Sequence, residues 1–116
     1  MNYVLLIYVS EEVTNGLSEE ERAAYFQDYG TFEGEVQQRG IKTGGQPLQP
    51  ISTATTVRMR EGQSMITDGP FAETKEQLAG FYVLECDNLD EAIAMAQKMP
   101  DAKYGAIEIR PVFTKY

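Results

Sequence analysis

The sequence predicts an α+β domain of the ferredoxin-like type, with two β-α-β halves and a β-hairpin inserted between them. Two observations predict this fold. Strand-like and amphipathic helical segments follow one another in the order β-α-β, hairpin, β-α-β. The two strands that are apolar on both faces, residues 2–9 and 80–86, also hold the positions that are central in such a sheet. A chain of 116 residues suffices for one core, so residues 1–116 are predicted to form a single domain.

The first half begins with the strand at residues 2–9, NYVLLIYV, whose two alternating faces are both apolar. Ser18 starts the first helix, because Glu21 stands three residues later and completes a capping box. Gly40 ends this helix. Its core-facing stripe is predicted to consist of Tyr25, Tyr29, Phe32 and Val36, widened by Phe26.

The chain between the two halves carries an edge strand and the hairpin. Residues 41–49 have weak strand character, and Pro47 excludes a central position in the sheet. The dipeptide Glu61-Gly62 separates two short segments of strand character and is predicted to form a two-residue hairpin turn. The register expected from that turn pairs Val57 with Ile66, Met59 with Ser64, and Arg58 with Met65.

The second half begins with the strand at residues 80–86, GFYVLEC, which is again apolar on both sides. Asn88 and Glu91 form a weaker capping box for the second helix, and Pro100 closes that helix. Residues 106–112, AIEIRPV, alternate like an edge strand. The buried stripe of the second helix is predicted to be Ala92, Ile93, Ala96 and Met99.

Two helices cover only one face of a four-stranded sheet. The second face of the two central strands, residues 2–9 and 80–86, is also apolar and needs a cover. A second copy of the chain is the simplest cover, so the sequence predicts a homodimer.

Composition excludes several functions. The formal net charge of −8, from 18 acidic and 10 basic residues, argues against direct binding to nucleic acid. The lone cysteine, Cys86, excludes an internal disulfide and favours a cytoplasmic location. The absence of histidine removes the usual general base and any Cys/His zinc site, so we expect no metal and no cofactor. The apolar run at residues 2–9 is too short for a signal peptide or a membrane span.

The segment Asp68-Gly69-Pro70-Phe71 admits two interpretations. As a structural motif, Pro70 extends Gly69, Asp68 bonds backbone amides beyond it, and Phe71 plugs the corner into the core. Turn chemistry accounts for all four residues, which favours this interpretation. As a functional motif, the rigid corner places Asp68 as a catalytic carboxylate at the mouth of a cleft.

Four further side chains are candidates for ligand binding. Lys75 is an anion-binding group beside Asp68, or one member of a solvated charged face. Tyr8 and Tyr82 lie near the ends of the central strands, where tyrosines bind ligands or simply pack with a bonded hydroxyl. Arg110 faces away from its apolar neighbours and is either a carboxylate binder or a surface charge.

The whole chain resembles the YCII-related family, in its DGPF branch. The resemblance extends nearly from end to end, and the central segment is the most specific part of it. The matching segments are YVLLIY at 3–8, ATTVRMREG at 54–62, TDGPFAETKEQLAGFYVLE at 67–85, LDEAIAMA at 89–96 and YGAIEIRPV at 104–112.

The resemblance implies a dimeric α+β barrel, in which two ferredoxin-like sheets pack face to face. Other branches of the family carry a His–Asp pair proposed as catalytic, and some relatives are lyase-like dehalogenating enzymes of hydroxylated aromatics. DGPF relatives are fused to, or associated with, sigma factors of the extracytoplasmic-function type. Because this chain has no histidine, the His–Asp pair does not carry over.

Two functions therefore remain open. One is a small dimeric ligand-binding or regulatory module with a sigma factor as partner. The alternative is a histidine-free enzyme of the lyase or dehalogenase type that acts on a small molecule, aromatic or not, in the barrel cleft, using Asp68 with a tyrosine or Lys75. The acidic charge, the missing histidine and the family association favour the first.

Overall fold

The computed structural model describes residues 1–114 of the chain. Its elements, with a 3₁₀ turn at Ile51–Thr53 between β2 and β3, are β1 (Asn2–Val9), α1 (Glu11–Asn15), α2 (Glu19–Gln38), β2 (Lys42–Pro47), β3 (Thr55–Arg60), β4 (Gln63–Asp68), β5 (Gln77–Glu85), α3 (Leu89–Ala96), α4 (Asp101–Tyr104) and β6 (Ala106–Pro111).

The main sheet has four antiparallel strands in the order β2-β5-β1-β6. The two doubly apolar strands, β1 and β5, are therefore central, and the two proline-bearing strands form the edges. The α+β class is confirmed, and this strand order is compatible with the ferredoxin-like arrangement.

The helices cover one face of this sheet. Alternate residues of β1 point into the core, and their neighbours point to the opposite face, which stays partly exposed. The core residues are Tyr3, Leu5, Ile7, Val9, Phe32, Val36, Leu84, Cys86, Ala92, Met95, Ala96 and Met99. We call the opposite face the open face; at its centre lie Val4, Leu6, Tyr8, Leu78, Phe81 and Val83.

The hairpin has the predicted turn and register. Val57 pairs with Ile66, Met59 with Ser64, and Arg58 with Met65. Both turn residues have positive φ, 52° at Glu61 and 76° at Gly62, as a two-residue hairpin turn requires. The hairpin forms a separate two-stranded sheet, and the radius of gyration of the described chain is 16.2 Å. A compact chain of this length has a radius of gyration of about 13 Å, so the hairpin projects from the body.

The helices agree with the sequence in their caps and differ in detail. The Ser18–Glu21 capping box is present, and the Asn88 side chain caps α3. The prediction for Ile93 was wrong: its side chain is 38 % exposed, whereas Met95 is 1 % exposed and packs in the core. The prediction that Phe26 widens the core-facing stripe of α2 was also wrong, because Phe26 is 63 % exposed.

Two short helices were not predicted, because each spans about one turn and carries no repeating apolar pattern. α1 begins after Ser10, whose hydroxyl accepts a hydrogen bond from the Val13 amide. α4 begins after Pro100 and ends at Gly105. A Cβ atom at Gly105 would lie 2.0 Å from the Tyr8 carbonyl oxygen, so only glycine lets α4 lie this close to β1.

Candidate functional site

A cavity of about 470 Å³ lies between α2 and the β2–β5 edge of the sheet. Its volume falls within the range of small-molecule sites, which is roughly 300–1,000 Å³. The first residue of α4 also contributes to its wall. Its most informative lining side chains are Tyr25, Phe26, Tyr29, Glu33, Lys42, Tyr82 and Asp101. We call it the Asp101 cavity.

Asp101 is the buried charge of this cavity. Its side chain is 2 % exposed. The Oδ2 atom accepts hydrogen bonds from the hydroxyls of Tyr25, at 2.7 Å, and Tyr29, at 2.6 Å. Within residues 1–114 the Oδ1 atom is buried and has no hydrogen-bond partner, and no ion pair to the carboxylate forms. Among the described residues, this buried carboxylate is therefore held by two phenols on Oδ2 and by no hydrogen-bond donor on Oδ1.

The two phenols act as fixed donors. Tyr25 and Tyr29 stand one helical turn apart on α2, so both hydroxyls reach the same carboxylate. Burial raises the pKa of both hydroxyls, and the hydrogen bond to Asp101 raises the pKa further. Both therefore remain protonated at neutral pH. Because a phenol has one proton and each proton is given to Asp101, their oxygens can act only as acceptors toward any other group.

A second polar cluster lies one turn further along α2. The hydroxyl of Tyr82 donates to Oε2 of Glu33 at 2.7 Å, while Nζ of Lys42 forms an ion pair with Oε1. Nζ of Lys42 also lies 5.2 Å from the centroid of the Tyr82 ring. Burial works against the charge on Glu33, but the hydrogen bonds from Lys42 and Tyr82 outweigh it and lower the pKa of Glu33. Glu33 is therefore an ionised carboxylate with a cationic partner.

The two carboxylates thus differ in chemistry. Glu33 is compensated by Lys42 and its oxygens are hydrogen-bonded, so it is suited to orienting Tyr82 and Lys42. Asp101 has no cation and keeps one oxygen unpaired within the described chain. Of the two carboxylates, Asp101 is therefore the one with an oxygen that has no hydrogen-bond partner among residues 1–114.

The sequence profile of the YCII-related domain matches residues 1–114. The chain belongs to the YCII-related family. It is similar to an uncharacterised protein of Rhizobium meliloti (strain 1021), with 38 % identity over 114 residues, which cover 97 % of this chain and 92 % of that protein. Within residues 1–114 of this YCII-related chain, no helix is long and apolar enough to cross a membrane. In the same residues, no three Cys, Asp or Glu side chains are grouped so as to hold a metal ion.

Of the five candidates taken from the sequence of this YCII-related chain, Tyr82 lines the Asp101 cavity. Tyr8 and Arg110 lie on the open face, and Arg110 forms an ion pair with Glu108 at 2.8 Å. Lys75 borders a separate, more open cleft beside α1. Asp68 ends β4 in the hairpin. The structure does not bring these five side chains together, and their ligand roles stay predictions.

The corner at Asp68-Gly69-Pro70-Phe71 of this YCII-related chain is held by two hydrogen bonds to the backbone of Gly69. Gly69 has a φ of 103°, a conformation that favours glycine, and its amide donates to the Ala54 carbonyl at 2.8 Å. Thr56 Oγ1 donates to the Gly69 carbonyl at 2.8 Å. The structural interpretation predicts that Phe71 packs into the core. This prediction was wrong for the single chain, because Phe71 is 77 % exposed.

The sequence patterns do not identify three charged residues of the Asp101 cavity as site residues. They predict two of its tyrosines only as core residues. Asp101, Glu33 and Lys42 stood outside every motif, and Tyr25 and Tyr29 were assigned only to the apolar stripe of α2. One signal was present: tyrosines on a buried stripe need hydrogen-bond partners for their hydroxyls. The partner lies 72 residues from Tyr29 along the chain, and no local pattern identifies it.

Proposed function

We propose that this YCII-related chain is a small-molecule-binding module that receives its ligand in the Asp101 cavity. The observation that carries the proposal is the buried Asp101 carboxylate at the cavity wall, with one oxygen unpaired within the described residues. An unsatisfied buried polar group costs about 1–3 kcal/mol, and more when it is charged. Buried polar groups without a partner are rare in native proteins, and at a cavity wall such a group supports a role in binding.

Gly30 adds independent support. It lies in the middle of α2, where glycine costs about 1 kcal/mol relative to alanine, and it lines the cavity. A Cβ atom there would meet nothing within 4 Å, so no packing contact requires glycine at this position. The missing side chain leaves the cavity open. Gly34, one turn later, is equally unobstructed but does not line the cavity.

This pair of glycines gives a matched test. Gly30→Met should place a side chain in the cavity and abolish binding of small fragments, while Gly34→Met should leave binding unchanged. Both variants should raise the free energy of unfolding by about 0.5–1 kcal/mol, because methionine forms helices better than glycine. Ligand-observed NMR with a fragment mixture measures binding, and urea denaturation measures stability.

Equal fragment binding by the wild type, Gly30→Met and Gly34→Met would contradict the proposal, because the fragments would then bind elsewhere. Loss of binding in Gly34→Met alone would place the site on another face of α2.

An enzymatic role is the second candidate, and the geometry of Asp101 favours it. Tyr25 and Tyr29 hold Oδ2, and Oδ1 has no partner among the described residues, so a catalytic role of Asp101 would fall to Oδ1. Such a histidine-free enzyme would act on a small, aromatic molecule in a lyase or dehalogenating reaction. The same NMR samples distinguish the two roles over time. A binding module leaves the bound fragment unchanged, and an enzyme converts it.

We also propose that two copies pack through the open face to form a dimeric α+β barrel. The centre of that face is apolar and partly exposed in the single chain, at Val4, Leu6 and Val83. Glu108 and Arg110 stand on the same face at the β6 edge. Their ion pair, at 2.8 Å, compensates both charges beside the apolar centre of the face, which suits a self-complementary interface. In the dimer, Tyr8 and Arg110 would face the cleft between the sheets.

Leu6→Arg should therefore convert a homodimer into a monomer, because it places a charge at the centre of the open face. Ile66→Arg is the control, since Ile66 is an equally apolar but strongly exposed residue of the hairpin. Light scattering should give twice the chain mass for the wild type and for Ile66→Arg, and the chain mass for Leu6→Arg. A monomeric wild type would rule out the barrel, and dissociation by Ile66→Arg alone would move the interface to the hairpin.

The resemblance to the DGPF branch supports a regulatory partner, and we propose a sigma factor of the extracytoplasmic-function type in the cytoplasm. The acidic chain, with a net charge of −8, suits contact with a protein that itself binds DNA better than contact with DNA. Co-purification of the chain with such a sigma factor from the same genome tests this. A complex that survives gel filtration supports the role, and separate elution of both proteins at micromolar concentration contradicts it.

A further inference from the structure

We propose that the Asp101 cavity selects an organic cation that donates hydrogen bonds and carries a flat apolar body, such as an aryl amidine or an arylalkylamine. The inference rests on the proposed function, and it names the charge and shape of the ligand. Three features of the cavity carry it: its charge, the direction of its hydrogen bonds and its aromatic walls.

The charged lining of the cavity carries a net negative charge. Glu33 and Asp101 are acidic, and Lys42 is the base in the lining. Lys42 is already in an ion pair with Glu33, so within residues 1–114 the charge of Asp101 is left without a compensating cation. A buried charge is strongly unfavourable unless it is paired. A cationic ligand supplies the missing charge.

The hydroxyl groups of the cavity also require a donor. Tyr25 and Tyr29 give their protons to Asp101, and Tyr82 gives its proton to Glu33. Each phenol has one proton, so all three oxygens offer only lone pairs to a ligand. An anion or a carbonyl group would face these lone pairs without receiving a hydrogen bond from them. An ammonium or amidinium group donates to them.

The walls favour a flat body. The Tyr25 and Phe26 rings meet edge to face, with centroids 5.5 Å apart, and the Tyr25 and Tyr29 rings do the same at 5.1 Å. Aromatic faces attract both a planar ring and a cation. The lining already contains one contact between a cation and an aromatic ring: Nζ of Lys42 lies 5.2 Å from the centroid of the Tyr82 ring.

Three probes of nearly identical shape and different charge test the proposal: benzamidine, which is a cation at neutral pH, neutral benzamide and anionic benzoate. Titration calorimetry and ligand-observed NMR of the full chain should show benzamidine binding at least tenfold more tightly than benzamide, and benzoate not binding. Asp101→Asn keeps the shape of the side chain and removes its charge. It should reduce benzamidine affinity to that of benzamide.

Glu61→Gln is the matched control, because it removes the same unit of charge at the tip of the hairpin, away from the cavity. It should leave the order of the three probes unchanged. If Asp101→Asn does not fold, the order of affinities for the wild-type chain decides the question alone.

The outcomes separate this inference from the proposed function. If benzamide or benzoate binds as tightly as benzamidine, and Gly30→Met still blocks binding of the probes, the charge preference is overturned. The proposed binding site then stands. If no probe or fragment binds, or if Gly30→Met weakens the binding of none of them, both the charge preference and the proposed binding site are overturned.

Discussion

The buried carboxylate of Asp101 is the constraint on which the helix layer and the cavity depend. It joins α4 to α2 through the hydroxyls of Tyr25 and Tyr29. α4 is in turn held against β1, because Gly105 leaves no room for a side chain beside the Tyr8 carbonyl. A hydrogen bond to a charged group contributes about 1.5–3 kcal/mol, so two such bonds are a large part of the stability of a small domain. One side chain thus joins two helices at the wall of the cavity.

The same arrangement separates the roles of the two acidic groups. The Glu33 carboxylate is hydrogen-bonded on both oxygens and paired with Lys42, so its charge is satisfied inside the protein. Within the described part of the chain, Asp101 receives hydrogen bonds on Oδ2 and none on Oδ1. Two carboxylates in unlike environments commonly divide structural and chemical work. Here Glu33 positions Tyr82 and Lys42, and Asp101 keeps one oxygen without a hydrogen-bond partner among the described residues.

The sequence predicted those parts of the fold that depend on local patterns. The alternation in β1 and β5 identified the central strands, and Glu61-Gly62 set the hairpin register, because strand faces and turn types follow from neighbouring residues. The site was missed because it joins groups far apart in the chain: 76 residues separate Tyr25 from Asp101. The prediction for Ile93 failed because α3 is short and has more apolar residues than one helix face can hold. Its sequence pattern therefore does not show which of these residues are buried.

A double-mutant cycle between Tyr29 and Asp101 tests the central claim most directly. The free energy of unfolding would be measured for the wild type, Tyr29→Phe, Asp101→Ala and the double variant. The Tyr29 hydroxyl donates to the Asp101 carboxylate, so we expect a coupling energy of about 1.5–3 kcal/mol. The matched cycle with Tyr82→Phe should give a coupling below about 0.5 kcal/mol, because Tyr82 donates to Glu33. A Tyr29–Asp101 coupling no larger than the Tyr82 control would contradict the account.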